Sequence, residues 1–206
     1  MIGIVDYGMG NLRSVQKALE RAGGEVELIR TPSQVEQAGK IVLPGVAAFG
    51  DAMDALHRAG LVEPLVGAIT RGVPYLGLCL GLQLLFDVSY EDGQHAGLGV
   101  LAGKVVRFQL DASVTAQRLS VPHMGWNQIR WTQNVPMFDG LDAGASVYFA
   151  HSYHVVPADE TVVAATTDYG YPFVSAVWKD NIFATQFHPE KCQAVGLRLL
   201  KNFVDL

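Results

Sequence analysis

Short apolar runs alternate with helical periodicity through the first half of the chain. Ile2 to Asp6 has the continuous apolar character of a buried strand. Asn11 to Ala22 follows, with Leu12, Val15, Leu19 and Ala22 at helical spacing and Gly23-Gly24 as the stop. Val26 to Ile29 is a second strand, punctuated by Thr31-Pro32-Ser33. Lys40 to Leu43 is a third, closed by Pro44-Gly45. Asp51 to His57 and Leu61 to Ile69 have helical spacing. Val73 to Gly77 is then another short buried strand. It turns through Cys79 and is expected to re-emerge past Gly81 as an amphipathic helix. This rhythm predicts a mostly parallel central sheet with helices on both faces.

The second half has a different pattern. Val105 to Phe108, Trp126 to Trp131, Val147 to Ala150, Val162 to Thr167, Phe173 to Trp178 and Ile182 to Phe187 are strand-like and closely spaced. That spacing predicts an antiparallel strand extension of the parallel sheet. Gln193 to Phe203, with Val195, Leu199 and Phe203 in period, closes the chain as a helix. No linker, repeat or low-complexity segment interrupts the pattern. The expectation is one α/β domain over residues 1–206.

Composition narrows the classes of function. Half of the 206 residues are hydrophobic and 17% are charged, which suits a large core. A net charge of −5 argues against a nucleic-acid partner, because phosphate neutralisation needs clustered Lys and Arg. No apolar run reaches the roughly 18 residues of a membrane span. The first strand begins at once, with none of the features of a signal peptide. Two cysteines make no disulfide framework, and a cytoplasmic location is expected.

Gly77-Leu-Cys-Leu-Gly81 is the thiol form of a nucleophile elbow, a tight strand-to-helix turn that presents one reactive atom. A thiol needs a base and an orienting acid. The last strand-like run ends in His188-Pro-Glu190, and parallel sheets gather catalytic groups at the carboxyl ends of strands. Cys79, His188 and Glu190 are therefore the candidate triad. Taken singly, Cys79 also reads as a small core residue and His-Pro-Glu as a turn after a strand. The loop Leu43 to Gly50 is a candidate oxyanion segment, with the N–H of Leu80 as a second donor. Gly8-Met-Gly-Asn-Leu-Arg13 lacks the third glycine of a dinucleotide-binding fingerprint. His151 and His154, three apart on a strand-like segment, are expected on opposite faces and hold no metal.

Several segments together resemble the class I (triad-type) glutamine amidotransferases. They are the elbow with Gln83, His188-Pro-Glu190 and the Pro44-Gly45 loop. Within that family, five further segments look like the glutaminase subunit of imidazole glycerol phosphate synthase. These are Asp6 to Leu12, Pro44 to Val46 with Phe49-Gly50, Pro122 to Asn127, Tyr148 to Tyr153 and His188 to Lys191. Pro122-His-Met-Gly-Trp-Asn127 is the segment most specific to this branch.

The resemblance implies hydrolysis of L-glutamine through a Cys79 thioester, with no cofactor and no metal. It implies that Gly45, Gln83, Glu91, Ser152 and Tyr153 bind the substrate. The N–H groups of Val46 and Leu80 would form the oxyanion hole once the Gly45–Val46 peptide reorients. It implies a cyclase partner, a (β/α)8 barrel, meeting Asn11, Trp126, Tyr148 and Lys191. Two positions depart from the family pattern: Ala47 stands where Gly is usual, and Cys192 where Ser is common. Cys192 is read as a bystander near the site. Amidotransferase subunits serving other pathways, and a free-standing cysteine hydrolase, remain as alternatives.

Overall fold

The computed structural model describes residues 1–110, 119–131 and 133–206. In chain order, β1 (Ile2–Val5), α1 (Leu12–Arg21), β2 (Val26–Ile29), α2 (Pro32–Gln37), β3 (Lys40–Gly45), α3 (Phe49–Arg58), α4 (Val62–Thr70), β4 (Tyr75–Cys79) and α5 (Leu80–Gln83) lead through the elbow. There follow β5 (Phe86–Ser89), β6 (His95–Ala96), β7 (Leu101–Arg107), β8 (His123–Gln128), β9 (Ser146–His151) and β10 (Tyr153–Pro157). Then come β11 (Val163–Asp168), β12 (Pro172–Lys179), β13 (Ile182–Thr185) and α6 (Gln193–Asp205).

The main sheet runs β2-β1-β3-β4-β13-β12-β10-β7-β5-β6, with β11 also paired to β12. Strands β2, β1, β3, β4 and β13 are mutually parallel. Beyond β13 the pairs are antiparallel except β5 with β7. The expected mostly parallel sheet with an antiparallel extension is what the chain builds. β8 and β9 form a separate two-stranded ribbon.

Period-two alternation assigns each strand residue to one of two cores. Ile41, Leu43 and Tyr75 point into the core that holds Val35 of α2, Phe49 and Leu56 of α3 and Leu65 of α4. Val42, Leu76 and Leu78 point the other way, towards Val15 and Leu19 of α1 and Leu199 and Phe203 of α6. Covered on both faces, β1 and β4 can be apolar throughout, which is why they read so clearly as strands. Lys40 reaches across to donate from Nζ to the carbonyls of Phe203 and Val204, closing the C-terminus of α6.

Three expectations are corrected. The helix after the elbow is a single turn, Leu80–Gln83, because the chain becomes strand β5 at Phe86. Leu80, Leu82, Leu84, Leu85 and Phe86 are all buried, so this run has no polar face for a longer amphipathic helix. The carbonyls of Leu84 and Leu85 are taken by the N–H groups of Leu98, Val100 and Leu101 instead of continuing a helix. Second, α2 occupies the stretch read as punctuation. Thr31 and Gln34 close a capping box there, with Pro32 in the first turn. Third, His151 and His154 do not point apart. The chain bends at Ser152 between β9 and β10, and both rings pack against Phe108.

Candidate active site

The elbow is a tightly constrained turn. Cys79 has φ 54° and ψ −102°, a left-handed conformation that costs a non-glycine residue roughly 1–3 kcal/mol. Packing enforces it. A Cβ on Gly81 would stand 1.8 Å from the Leu43 carbonyl oxygen, and one on Gly77 would stand 2.5 Å from that of Gly81. Glycine at both places lets β4, β3 and the turn close to backbone contact. The buried Tyr75 hydroxyl donates to the Gly81 carbonyl and ties the turn to the strand beneath it. A single helical turn carries little dipole, so electrostatic support for a thiolate must come from neighbouring side chains.

Those neighbours arrive on β13, which pairs directly with β4. The chain leaves β13 at Thr185, and the N–H of His188 donates to the carbonyl of Tyr148 on β9. A 3₁₀ turn over Pro189–Lys191 brings Glu190 back onto the ring, with Glu190 Oε1 2.9 Å from His188 Nδ1. Both side chains are withdrawn from solvent, at 4% and 3% exposure. Burial works to lower the imidazole's pKa. Hydrogen bonds with Cys79 and Glu190, and the charges of both, outweigh it and hold the ring up at about 10. The arrangement keeps a protonated imidazole beside the Cys79 side chain.

A cavity of about 370 Å³ opens over the sulfur. Val46, Ala47, Cys79, Leu80, Gln83, Glu91, Ser152, Tyr153, His188 and Lys191 all face it. Ten residues singled out from the sequence thus converge on one space. Gly45 lies behind it, paired with Cys79 across β3 and β4. Glu91 accepts the N–H of Phe49, the first residue of α3, at 2.8 Å. Burial raises its carboxyl pKa, partly opposed by that hydrogen bond. Gln83 is buried and its Nε2 donates to the Tyr153 carbonyl at 3.1 Å. Among the described residues, no three His, Cys, Asp or Glu side chains group as a metal ion would require.

Three of the expected interface residues, Lys191, Tyr148 and Trp126, pack in a row that starts at the cavity lining. Lys191 Nζ lies 5.4 Å from the ring centre of Tyr148, and Tyr148 meets Trp126 edge to face at 6.0 Å. Trp126 and Met124 on β8 remain 51% and 66% exposed. Asn11, also exposed, sits at the start of α1, after a loop in which Gly10 abuts Pro44. No helix among the described residues is long and apolar enough to cross a membrane.

The chain is 58% identical to "Imidazole glycerol phosphate synthase subunit HisH" of Syntrophotalea carbinolica, each covering 100% of the other. It is 53% identical to the protein of the same name from Geobacter sulfurreducens, over 100% of this chain and 98% of that one. The family "Glutamine amidotransferase class-I" matches residues 3–206. The chain belongs to the class-I glutamine amidotransferase family. Among solved structures, "Structure of PurLQS from Thermotoga maritima" superposes on this amidotransferase with a TM-score of 0.75. It is 20% identical and covers 99% of this chain and 97% of that one, a likeness of fold.

Two residues of the site escaped the sequence reading of this amidotransferase. Gln186, fully buried, donates from Nε2 to Cys79 Sγ at 3.6 Å. Only the pairing of β13 with β4 brings it to the sulfur. Cys192 is more than a bystander. Its thiol donates to the His188 carbonyl at 3.0 Å and accepts the Tyr148 N–H at 3.1 Å. A serine hydroxyl makes the same two bonds, which explains how thiol and hydroxyl can exchange there. Burial raises this thiol's pKa to about 12, so it stays protonated.

Proposed function

We propose that this chain is the glutaminase subunit of imidazole glycerol phosphate synthase, working as one amidotransferase domain over residues 1–206 without a cofactor. The observation that carries the reading is the convergence of a strained Cys79 and His188 on one cavity, with the buried Glu190 carboxylate held against the far side of the ring. The full-length relatives support the choice of branch.

The Cys79 sulfur attacks the side-chain carboxamide carbon of L-glutamine. A C–S bond forms, and the carbonyl electron pair moves onto oxygen. The N–H groups of Leu80 and Val46 receive that charge once the Gly45–Val46 peptide turns inward. Losing one such donor costs roughly 100- to 1000-fold in rate, so the turn serves as a switch. The intermediate collapses as His188 gives its proton to the departing nitrogen, releasing ammonia and leaving a γ-glutamyl thioester. Water, giving a proton to His188, then attacks the thioester carbon; the C–S bond breaks, its electron pair returns to the Cys79 sulfur, and the acyl group leaves as glutamate. Glu190 holds the imidazole ring. Glu91 faces the substrate ammonium, Gln83 shapes the pocket, and Ser152 and Tyr153 meet the carboxylate end.

Ammonia in neutral water is mostly ammonium, which has no lone pair for attack. It therefore passes by a sheltered route to the cyclase subunit, a (β/α)8 barrel that docks over Asn11, Trp126, Tyr148 and Lys191. There it contributes nitrogen to imidazole glycerol phosphate, with aminoimidazole carboxamide ribotide as co-product, in the cytoplasm. The test is glutamine hydrolysis by the chain alone, with the cyclase subunit, and with that subunit plus its ribotide ligand. Slow turnover alone and a steep rise with the liganded partner are expected. Equal rates in all three refute the coupling.

A further inference from the structure

Gln186 stands at the centre of a fixed string of hydrogen bonds. Its backbone N–H donates to Ser175 O at 2.9 Å, which anchors it beside β12. Its side chain lies between two partners. Oε1 accepts from Gln83 Nε2 at 3.2 Å, and Nε2 donates to the Cys79 sulfur at 3.6 Å.

The two ends of a carboxamide have nearly the same shape, so their orientation follows from their partners. A backbone carbonyl can only accept. The Tyr153 carbonyl therefore requires the NH2 of Gln83 at 3.1 Å. The same NH2 faces Gln186, which must answer with oxygen. That leaves the NH2 of Gln186 directed at the sulfur. The Tyr153 carbonyl is itself pinned from the other side by His151 Nδ1 at 2.8 Å. Every link in the string has one orientation, and it ends on Cys79.

We infer that Gln186 is a catalytic residue that donates a hydrogen bond to the Cys79 sulfur, and that Gln83 holds its amide turned that way. The inference rests on the reading of Cys79 as the nucleophile. An N–H aimed at sulfur favours thiolate over thiol and fixes the direction from which the lone pair attacks. His188, backed by Glu190, acts on the same atom from the turn after β13. Tyr7, after β1, feels the Cys79 charge, but its hydroxyl donates to the Pro44 carbonyl and burial keeps it protonated. Glu91, His151, Tyr153 and Lys191 line the cavity beyond these groups. Gln186 thus adds an uncharged donor beside these titrating groups.

The test follows alkylation of Cys79 by iodoacetamide against pH in the full-length protein, read by mass spectrometry of the peptide that carries it. Wild type is compared with Gln186→Met, which keeps the bulk and loses the donor. Gln186→Glu is the second variant; it keeps the acceptor for Gln83 and turns the donor into a carboxylate. The midpoint should rise by roughly one pH unit in Gln186→Met, about tenfold less thiolate at a pH below the midpoint. It should rise further in Gln186→Glu. kcat/KM for glutamine should fall with the thiolate fraction while KM changes little. Folding is checked by the melting temperature, and Gln186→Glu carries the test if Gln186→Met does not fold. An unmoved midpoint in a folded variant overturns the inference, even where activity is lost. Cys79→Ala separates the broader reading: if it still hydrolyses glutamine, the nucleophile assignment falls. If it is inactive and wild-type Cys79 is labelled, that assignment stands whatever Gln186 does.

Discussion

His123 Nδ1 lies 3.2 Å from His151 Nε2, and only one placement of protons satisfies both rings. His151 faces the Tyr153 carbonyl through Nδ1, so its proton sits there and Nε2 is bare. His123 must then donate from Nδ1, and its Nε2 faces Asn127 Nδ2 at 3.4 Å. Both imidazoles are neutral. Burial pushes His123 down to about 4 and His151 down to about 3.

This neutral pair makes stability depend on acid. In the unfolded chain both rings titrate near 6.5, so below that pH the unfolded state binds more protons and folding weakens. The expected slope is at most about 1.4 kcal/mol per pH unit per ring, between pH 6.5 and the folded values near 4 and 3. His188 adds no slope in this window. Its folded pKa is raised, so it is protonated in both states below 6.5; its contribution is lost as pH rises from 6.5 and is gone above about 10. Urea unfolding midpoints should fall from pH 7 to pH 5, and His123→Phe should flatten the fall. A flat wild-type profile would contradict the neutral pair.

Gly81→Ala should be severe. A Cβ placed 1.8 Å from the Leu43 oxygen can be relieved only by moving backbone. A loss of more than about 3 kcal/mol is expected, in the range of overpacked cores. Thermal melting measures it, and a near-native melting temperature would show that the elbow is slack.

Glu190→Gln keeps the size of the orienting group and removes its charge. Glu190 is one of the two groups holding the His188 pKa up, so the imidazolium should lose its proton at lower pH. Glutamine kcat/KM should drop by roughly 10²- to 10⁴-fold with KM little changed. The pH–rate profile checks this, and the limb belonging to His188 should move to lower pH. An unchanged profile would leave Glu190 without its orienting role.

Cys192→Ser should be close to neutral, because a hydroxyl can replace both bonds to His188 and Tyr148. Cys192→Val takes the sulfur acceptor from the Tyr148 N–H, at a cost of about 1–3 kcal/mol, while the His188 carbonyl keeps the Lys191 N–H. It should also lower activity through the misplaced His188. Melting temperature and glutaminase rate, measured together on both variants, decide the point.

The strands buried on both faces were legible, since β1, β3 and β4 are apolar almost throughout. The meeting of Cys79 with His188 and Glu190 was legible too, because an elbow glycine pair and a strand-ending His-Pro-Glu are local patterns. What was hidden depends on tertiary context. The run from Leu80 to Phe86 looks helical by composition, yet backbone partners from residues 97 to 101 draw it into β5. The bend at Ser152 turns two histidines that a straight strand would separate onto one phenylalanine. Gln186 carries no spacing signal at all. Its importance arises only when β13 is laid beside β4.

The most direct measurement uses Cys79→Ala assembled with the cyclase subunit, its ribotide ligand and either glutamine or an ammonium salt. If the Cys79 sulfur carries the acyl group, the variant makes no product from glutamine and keeps its rate with ammonium. Product from glutamine at anything near the wild-type rate would mean that another group performs the chemistry.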